Sequence, residues 1–488
     1  MADQRRFVNT FLVLAILFGL SLFSQLTPES SANTWYGIQG SISDDTYLVG
    51  QRYGDCPPGT PADVGSVHVY VRENSTSWPE TITLESLLDS GSLVPGAQFG
   101  GGAVLIDGDT AVVGAYRNTV DGKAQAGNTF VFTRSGSTWS TQIVLEKPGG
   151  TTANDLFGAS GDIDGDRLLL AAPGADSAYV FSRSGDTWDS GVALSGGSIQ
   201  DPLGLAIDDN LVAVGNYGTN PHVDLWKYNQ SSGQWDFDTS IANPGANDNL
   251  LGTAIDISGN TMVVSARQES VGGSSGAGAV YVFSYDNIAE NWNLQQTIEN
   301  PFPNTNDEFG YDLAINGDRL VVGAPRDDTE ESDAGAAYVY IRSDSTWTLD
   351  ETFTAETPEA GKWFGEIVDL SEDVLLAGGP GRTAESGDVF WFDLDSIPVN
   401  PDATPGDANK DGFVNELDAT ILAANWMSGP NASWSDGDFN DDGHVNDVDA
   451  TIMAVNWGAT PATTVPEPSI FTLLLCMFAV GLFQRRAR

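Results

Sequence analysis

The sequence predicts an all-β chain, a seven-bladed β-propeller of four-stranded antiparallel blades, followed by a small α-helical domain built on two paired acidic loops. Three observations carry this. An aromatic-Gly or Leu-Gly step recurs with its glycine at Gly37, Gly100, Gly158, Gly204, Gly252, Gly310 and Gly365, marking seven units of roughly 46 to 63 residues. Inside each unit, short alternating apolar runs are separated by Gly, Asn, Asp and Ser, the period-2 pattern of half-buried strands. Near the C terminus, segments 407–426 and 438–457 match each other closely, 31 residues apart.

The clearest unit opens at Phe309-Gly310, runs through Leu313-Ala314-Ile315-Asn316-Gly317-Asp318-Arg319-Leu320-Val321-Val322 to Gly323-Ala324-Pro325, and continues with Tyr338-Val339-Tyr340 and Trp347. Asn316-Gly317, Asp107-Gly108 and Asp164-Gly165 are tight-hairpin signals between the first two strands of their units. The third strand is the Tyr-Val-aromatic run, and the fourth opens at Trp78, Trp139, Trp188, Trp235, Trp292 and Trp347. Blades of this kind bury their faces against neighbouring blades, so these tryptophans are expected to pack between blades. The seventh unit ends at Phe390-Trp391-Phe392-Asp393-Leu394 without a fourth strand. Either the segment after the N-terminal leader or the segment around Ile397 completes it.

These repeats resemble FG-GAP repeats of the integrin α type across residues 33–395, with Phe309-Gly310 and Gly323-Ala324-Pro325 carrying both halves of the motif. The resemblance implies calcium in an Asp-rich loop between the first two strands, but here that loop is a short hairpin. Asp162, Asp164 and Asp166 align with Ala314, Asn316 and Asp318 and read as strand and turn residues. Alternating strand direction puts the 1–2 and 3–4 turns at one end of the blades. The long, variable 2–3 and 4–1 connections, such as 51–64, 117–126, 268–276 and 326–334, lie at the other. Ligand faces on rigid scaffolds sit in such loops, so that end is the expected binding face. Its most acidic loop carries Asp327, Asp328, Glu330, Glu331 and Asp333, either a cation or partner site or a solvated loop.

After a linker, 396–405, the paired segments occupy residues 406–458. Positions 1, 3, 5, 7, 9 and 12 of the first loop are Asp407, Asn409, Asp411, Phe413, Asn415 and Asp418; those of the second are Asp438, Asn440, Asp442, His444, Asn446 and Asp449. Carboxylate and amide oxygens at this spacing, backbone carbonyls from Phe413 and His444, and Gly412 or Gly443 at the sharp turn suit Ca²⁺, a hard cation taking six to eight oxygens. Val414 and Val445 stand where paired loops bridge each other. Aspartate at position 12 and one helix after each loop resemble type I dockerin repeats. That resemblance implies two bound calcium ions, folding coupled to calcium, and a cohesin-like partner. Glu416, Leu417, Asp447 and Val448 at positions 10 and 11 lack the hydroxyl pair common in cellulosomal examples.

Both ends read as addresses. Arg5-Arg6, an apolar run from Phe7 to Phe23 and Ser30-Ser31-Ala32 form the three-part layout of a signal peptide, 1–32. The tail 459–488 holds Val465-Pro466-Glu467-Pro468-Ser469, the apolar segment Ile470–Phe483 and a basic end. Fourteen residues of helix span only about 21 Å of a roughly 30 Å hydrocarbon core. The three parts resemble a PEP-CTERM sorting signal, which implies an exosortase-type enzyme as partner and transient membrane attachment in a Gram-negative-type bacterium.

A net charge of -46 leaves no basic stripe to neutralise phosphates, which argues against nucleic acid. It suits exported proteins and calcium binders, or simple solubility in a salty milieu. Cys56 and Cys476 sit in dissimilar contexts and form no disulfide framework. Of three histidines, His68 falls in a strand, His222 in a loop and His444 in an acidic loop, and none has a zinc-ligand set nearby. No nucleophile elbow, phosphate loop or catalytic carboxylate pair is recognisable. The expected function is therefore binding or adhesion at a cell surface, through an unknown glycan or protein; the alternative is a polysaccharide-active propeller enzyme displayed through a dockerin.

Overall fold

The computed structural model describes residues 24–26, most of 36–394 and ten positions between 419 and 453. The chain divides into two units, Met1–Asp393 and Leu394–Arg488. The first is a seven-bladed β-propeller of antiparallel sheets. From blade 1 to blade 7 the innermost strands are Tyr36–Ser43, Phe99–Asp107, Gly161–Asp164, Leu205–Asp208, Leu251–Ser258, Leu313–Asn316 and Ile367–Leu370. Six sheets hold four strands; in blade 3 the outer strand is split into Thr187–Trp188 and Val192–Ala193, both paired to Ser177–Ser184.

The aromatic-Gly steps and the Gly-Ala steps turn out to be two sides of one joint. The Gly323 Cα faces the following blade so closely that a Cβ there would lie 2.0 Å from the Gly365 carbonyl oxygen. Gly50 meets Gly100, Gly114 meets Gly158 and Gly215 meets Gly252 in the same way. Glycine is required on the other side too, since Gly365 has φ +88°. The aromatic residue before it anchors the joint: Phe364 N donates to Ala334 O at 2.9 Å and Phe309 N to Ala277 O at 3.0 Å.

A second set of bonds stitches the innermost strands around the ring. Ile106 N donates to Ser41 Oγ, Gly165 N to Asp107 Oδ2, Ile207 N to Asp162 Oδ2 and Gly259 N to Asp208 Oδ2. Ile315 N donates to Asp256 Oδ2, Val368 N to Asp312 Oδ2 and Ile42 N to Asp369 Oδ2, which returns to blade 1. Each of the seven junctions thus has a side-chain acceptor in one blade receiving a backbone N–H of the next.

Apolar cores fill the wedges between blades. One joins Leu48, Val67 and Val69 of blade 1 to Val104, Phe130 and Trp139 of blade 2; another closes the ring by packing Tyr47 and Trp78 against Leu376, Val389 and Trp391 of blade 7. Trp78, Trp139, Trp188, Trp235 and Trp347 are buried, as expected of inter-blade residues, and Trp292 is partly buried. Several are capped by an arginine: Arg134, Arg183 and Arg342 lie 5.7, 5.3 and 5.2 Å from the rings of Trp139, Trp188 and Trp347. Each of these arginines also reaches the preceding blade, through Thr46, Thr110 and Thr261 respectively.

The strand completing blade 7 is Ser24–Leu26, with Ser24 opposite Trp391 and Leu26 opposite Val389. It lies inside residues 1–32, and is neither of the two segments the sequence offered, the one after the leader or the one around Ile397. Removal of residues 1–32 and this pairing exclude each other. A folded chain that keeps this pairing is expected to begin at or before Ser24, as N-terminal sequencing would show; a start at Asn33 would leave the edge of Asp388–Asp393 to another segment.

Candidate functional site

Three regions of the chain carry chemistry: the central cavity, the long-loop face and the C-terminal acidic loops. The innermost strands enclose a cavity of about 470 Å³ lined by Asp162, Asp256, Asp312 and Asp369. Burial pushes Asp162 and Asp312 up to about 7, and raises Asp256 well above, and Asp369 above, the usual carboxylate range. Asp162, Asp256 and Asp312 are raised further by the negative charge of other acids on the same cavity.

The eight carboxylate oxygens of these residues are all engaged. Each Oδ2 holds the next blade, and each Oδ1 accepts the N–H of the following residue: Ile163, Ile257, Leu313 and Leu370. A carboxylate whose lone pairs face two backbone amides is a structural acceptor, poorly placed to take a proton from a substrate. At the long-loop end of the cavity, Arg267 pairs with Glu308 at 3.1 Å and lies 4.7 Å from the Tyr311 ring.

On the long-loop face, the acidic loop is bonded to itself. Asp327 is buried; its Oδ1 accepts Thr329 N and its Oδ2 accepts the Tyr338 hydroxyl at 2.5 Å. Asp328 Oδ1 accepts Asp333 N at 2.7 Å, and Gly335 N bonds to Asp327 O. Glu330 and Glu331 are exposed. These bonds give the loop a defined shape. Asp164 accepts Asp209 N and Asp166 pairs with Arg183 at 2.8 Å, so the aspartates of blade 3 are strand and turn residues. His222 departs from its expected loop and opens the strand His222–Asn229, where Nε2 is 3.4 Å from Asp224 Oδ1. His68 stands in a strand with Nδ1 3.1 Å from Glu80. Among the described residues no group of three or more His, Cys, Asp and Glu is arranged to hold a metal.

In the C-terminal unit, Ala419 and Ile421, Leu422 and Ala423 are helical after the first loop, as are Ala450 and Met453 after the second. Asn425 N donates to Ile421 O at 3.1 Å and Ala450 N to Asn446 O at 3.2 Å. Val445, at the bridging position, is fully buried, with Leu422 and Met453 nearly so. Of the twelve expected calcium ligands, Asn446 is described; Asp407, Asn409, Asp411, Phe413, Asn415, Asp418, Asp438, Asn440, Asp442, His444 and Asp449 lie outside the described residues. So do residues 1–23, Cys56, Cys476, the linker and the tail 459–488. No helix among the described residues is long and apolar enough to cross a membrane.

The four cavity aspartates passed unnoticed as a set in the sequence. Their signal was weak: Asp162, Asp256 and Asp369 stand just before the hairpin, as Ser41 does, but Asp312 stands two positions earlier in its unit.

The FG-GAP repeat family matches residues 240–283 and 292–340, and the type I dockerin domain family matches residues 405–456. The chain thus carries FG-GAP repeats on a propeller and a type I dockerin domain. No curated protein matches it in sequence. Solved structures similar to it include a functionally unknown protein from Desulfotomaculum acetoxidans, at 15% identity over 70% of this chain and 92% of that one, TM-score 0.45. A periplasmic gluconolactonase from Pseudomonas aeruginosa is 13% identical over 67% of this chain and 86% of that one, TM-score 0.43.

A pH dependence follows from the cavity. A buried acid with its folded pKa raised binds a proton that the unfolded chain has already released, so stability falls as pH rises from about 4 to about 7. Asp162→Ser copies the neutral acceptor that Ser41 supplies at the first junction. The slope of unfolding free energy against pH in that window is expected to lose about one proton's worth in this variant; an unchanged slope in urea titrations would show that Asp162 is ionised throughout.

Proposed function

We propose that this chain is an exported bacterial surface or extracellular binding protein whose long-loop face takes a glycan or protein, while its dockerin domain holds two calcium ions. The observation that supports binding most directly is the state of the cavity carboxylates. Each spends one oxygen on a backbone amide of the next blade and the other on its own strand, whereas the acidic loop at the opposite end from the hairpins is shaped by its own hydrogen bonds and presents Glu330 and Glu331 outward. A rigid ring presenting pre-shaped loops limits the entropy lost on association.

In this reading Asp407, Asn409, Asp411, Phe413, Asn415 and Asp418 hold one ion, and Asp438, Asn440, Asp442, His444, Asn446 and Asp449 the other. The ligand chemistry is all oxygen, as calcium requires. Buried Val445 supports loops that pack together. A cohesin-like protein is the partner this domain would meet through Glu416, Leu417, Asp447, Val448 and the helices that follow. The leader and the PEP-CTERM-like tail, with exosortase-type processing near Pro466 to Ser469, supply export and sorting.

Isothermal titration of the full chain with CaCl₂ is expected to give two ions per chain, and one in either Asp418→Ala or Asp449→Ala. Absence of calcium uptake by the unaltered chain would refute the assignment of both loops. For the propeller, retention of surface glycans or proteins on the immobilised chain is expected to be lost when loop 326–334 is replaced by Gly-Ser residues; turnover of a polysaccharide would instead favour the enzyme.

A further inference from the structure

The long-loop end of blade 4 breaks a rule that most other blades follow. In five of the other six blades the third residue of the third strand is a buried aromatic: Phe130, Tyr179, Tyr281, Tyr338 and Phe390. In blade 4 that residue is Asp224, 1% exposed, and the strand opens on His222 two residues before it. Replacing a packed ring by a buried acid costs apolar burial, and departures of this kind concentrate at functional sites.

Asp224 fastens the connection between blades 3 and 4. Its Oδ2 accepts Ser198 N at 2.8 Å and its Oδ1 accepts the Ser240 hydroxyl. Trp226 Nε1 donates to Ser195 O at 2.7 Å and Gln200 N to Asn216 Oδ1 at 2.9 Å, which fixes the connection on both sides of Ser198. Glycine is required beside it, since a Cβ on Gly197 would lie 2.6 Å from both Asp224 Oδ2 and the Trp226 ring. Ser198 itself is exposed, and its hydroxyl oxygen lies 3.1 Å from His222 Nε2.

The second ring nitrogen sets the tautomer of His222. Nδ1 lies 2.7 Å from Asn220 O, and a carbonyl only accepts, so Nδ1 carries the proton. Nε2 of the neutral ring then presents its lone pair, and the Ser198 hydroxyl is the donor. A hydroxyl bonded to a base that a third group orients is the arrangement of an activated nucleophile. Asp224 Oδ1, 3.4 Å from Nε2, faces the nitrogen that gains a proton when the hydroxyl loses one. Its buried carboxylate favours the imidazolium so formed.

We infer that Ser198 is the nucleophile of an ester-hydrolysing site on the long-loop face, with His222 as its general base and Asp224 as a positioning residue. Oγ attacks the acyl carbon and passes its proton to Nε2. The bond from that carbon to the alcohol oxygen breaks as Nε2 returns the proton to the leaving oxygen. Water, giving a proton to Nε2, then attacks the acyl-serine; the carboxylic acid leaves and Oγ takes the proton back. The Ser198 amide is spent on Asp224 and the hydroxyl faces solvent, so water meets the oxyanion, which suits esters and not the less reactive amides. Gly196 and Gly197 offer no side chain to line an acyl pocket, so the acyl group is short, as in an acetate ester. This activity goes beyond the binding role and does not depend on it.

The test exposes the full chain to a biotinylated fluorophosphonate, which forms an Oγ–P bond and loses fluoride, and maps the adduct by mass spectrometry. One adduct per chain is expected, on Ser198. It should be absent in Ser198→Ala and form about a hundredfold more slowly in His222→Gln. With p-nitrophenyl acetate as substrate, Asp224→Asn keeps an acceptor for the Ser198 amide but removes the charge. It is expected to lower kcat about tenfold with KM unchanged, whereas an aspartate that only braces the loop would shift thermal unfolding and leave kcat alone. An unlabelled Ser198, an adduct rate unchanged in His222→Gln, or ester turnover undiminished in Ser198→Ala overturns the inference. Ser198→Ala alters one exposed side chain, so it decides even where Asp224→Asn fails to fold. An unlabelled Ser198 with surface-ligand retention intact refutes the nucleophile and leaves the binding role standing.

Discussion

Everything in the propeller depends on the bond between a side-chain acceptor in one innermost strand and a backbone N–H in the next. A ring has no sequence-local contacts between its blades near the axis, where the strands run side by side without forming a common sheet. Backbone amides facing the axis would be left without partners there, at a cost of about 1–3 kcal/mol each. Ser41, Asp162, Asp256, Asp312 and Asp369 answer this need at five junctions, and at the other two Asp107 and Asp208 accept from the hairpin glycines Gly165 and Gly259 of the next blade. The glycine joints further out bring the blades close enough for those bonds to form, and the apolar wedges then close around them.

The same device accounts for the acidic interior. A carboxylate can hold two amides at once, one in its own strand and one in the neighbour, where a serine hydroxyl offers less. Placing four such groups around one cavity raises their proton affinity, so the ring trades some stability at high pH for directional bonds between blades. The proposed binding role rests on a division of labour along the axis. Hairpins and cavity are committed to holding the ring together, and the opposite end, built from longer connections, is where sequence varies from blade to blade.

Much of the architecture was legible in the sequence. Glycine spacing, period-2 runs and the Asp-Gly and Asn-Gly turns identify blades and strands, because those signals are local. The tryptophans were legible as packing residues for the same reason. The role of Asp256 was not, since its partner Ile315 lies 59 residues away and belongs to another sheet. The closing strand was missed because Ser24–Leu26 sits at the end of an apolar run whose pattern reads as a leader. The C-terminal loops are the opposite case, where residue spacing alone points to a type I dockerin domain, the family that matches residues 405–456.

Site-resolved hydrogen exchange of the propeller amides tests the central role of the stitches most directly. The N–H groups of Ile42, Ile207, Ile315 and Val368 are expected to exchange only through global unfolding, as slowly as the middle strands of each blade. Exchange of these four at the rate of the hairpin turns, while the middle strands stay protected, would contradict the view that the ring is held by bonds at its axis.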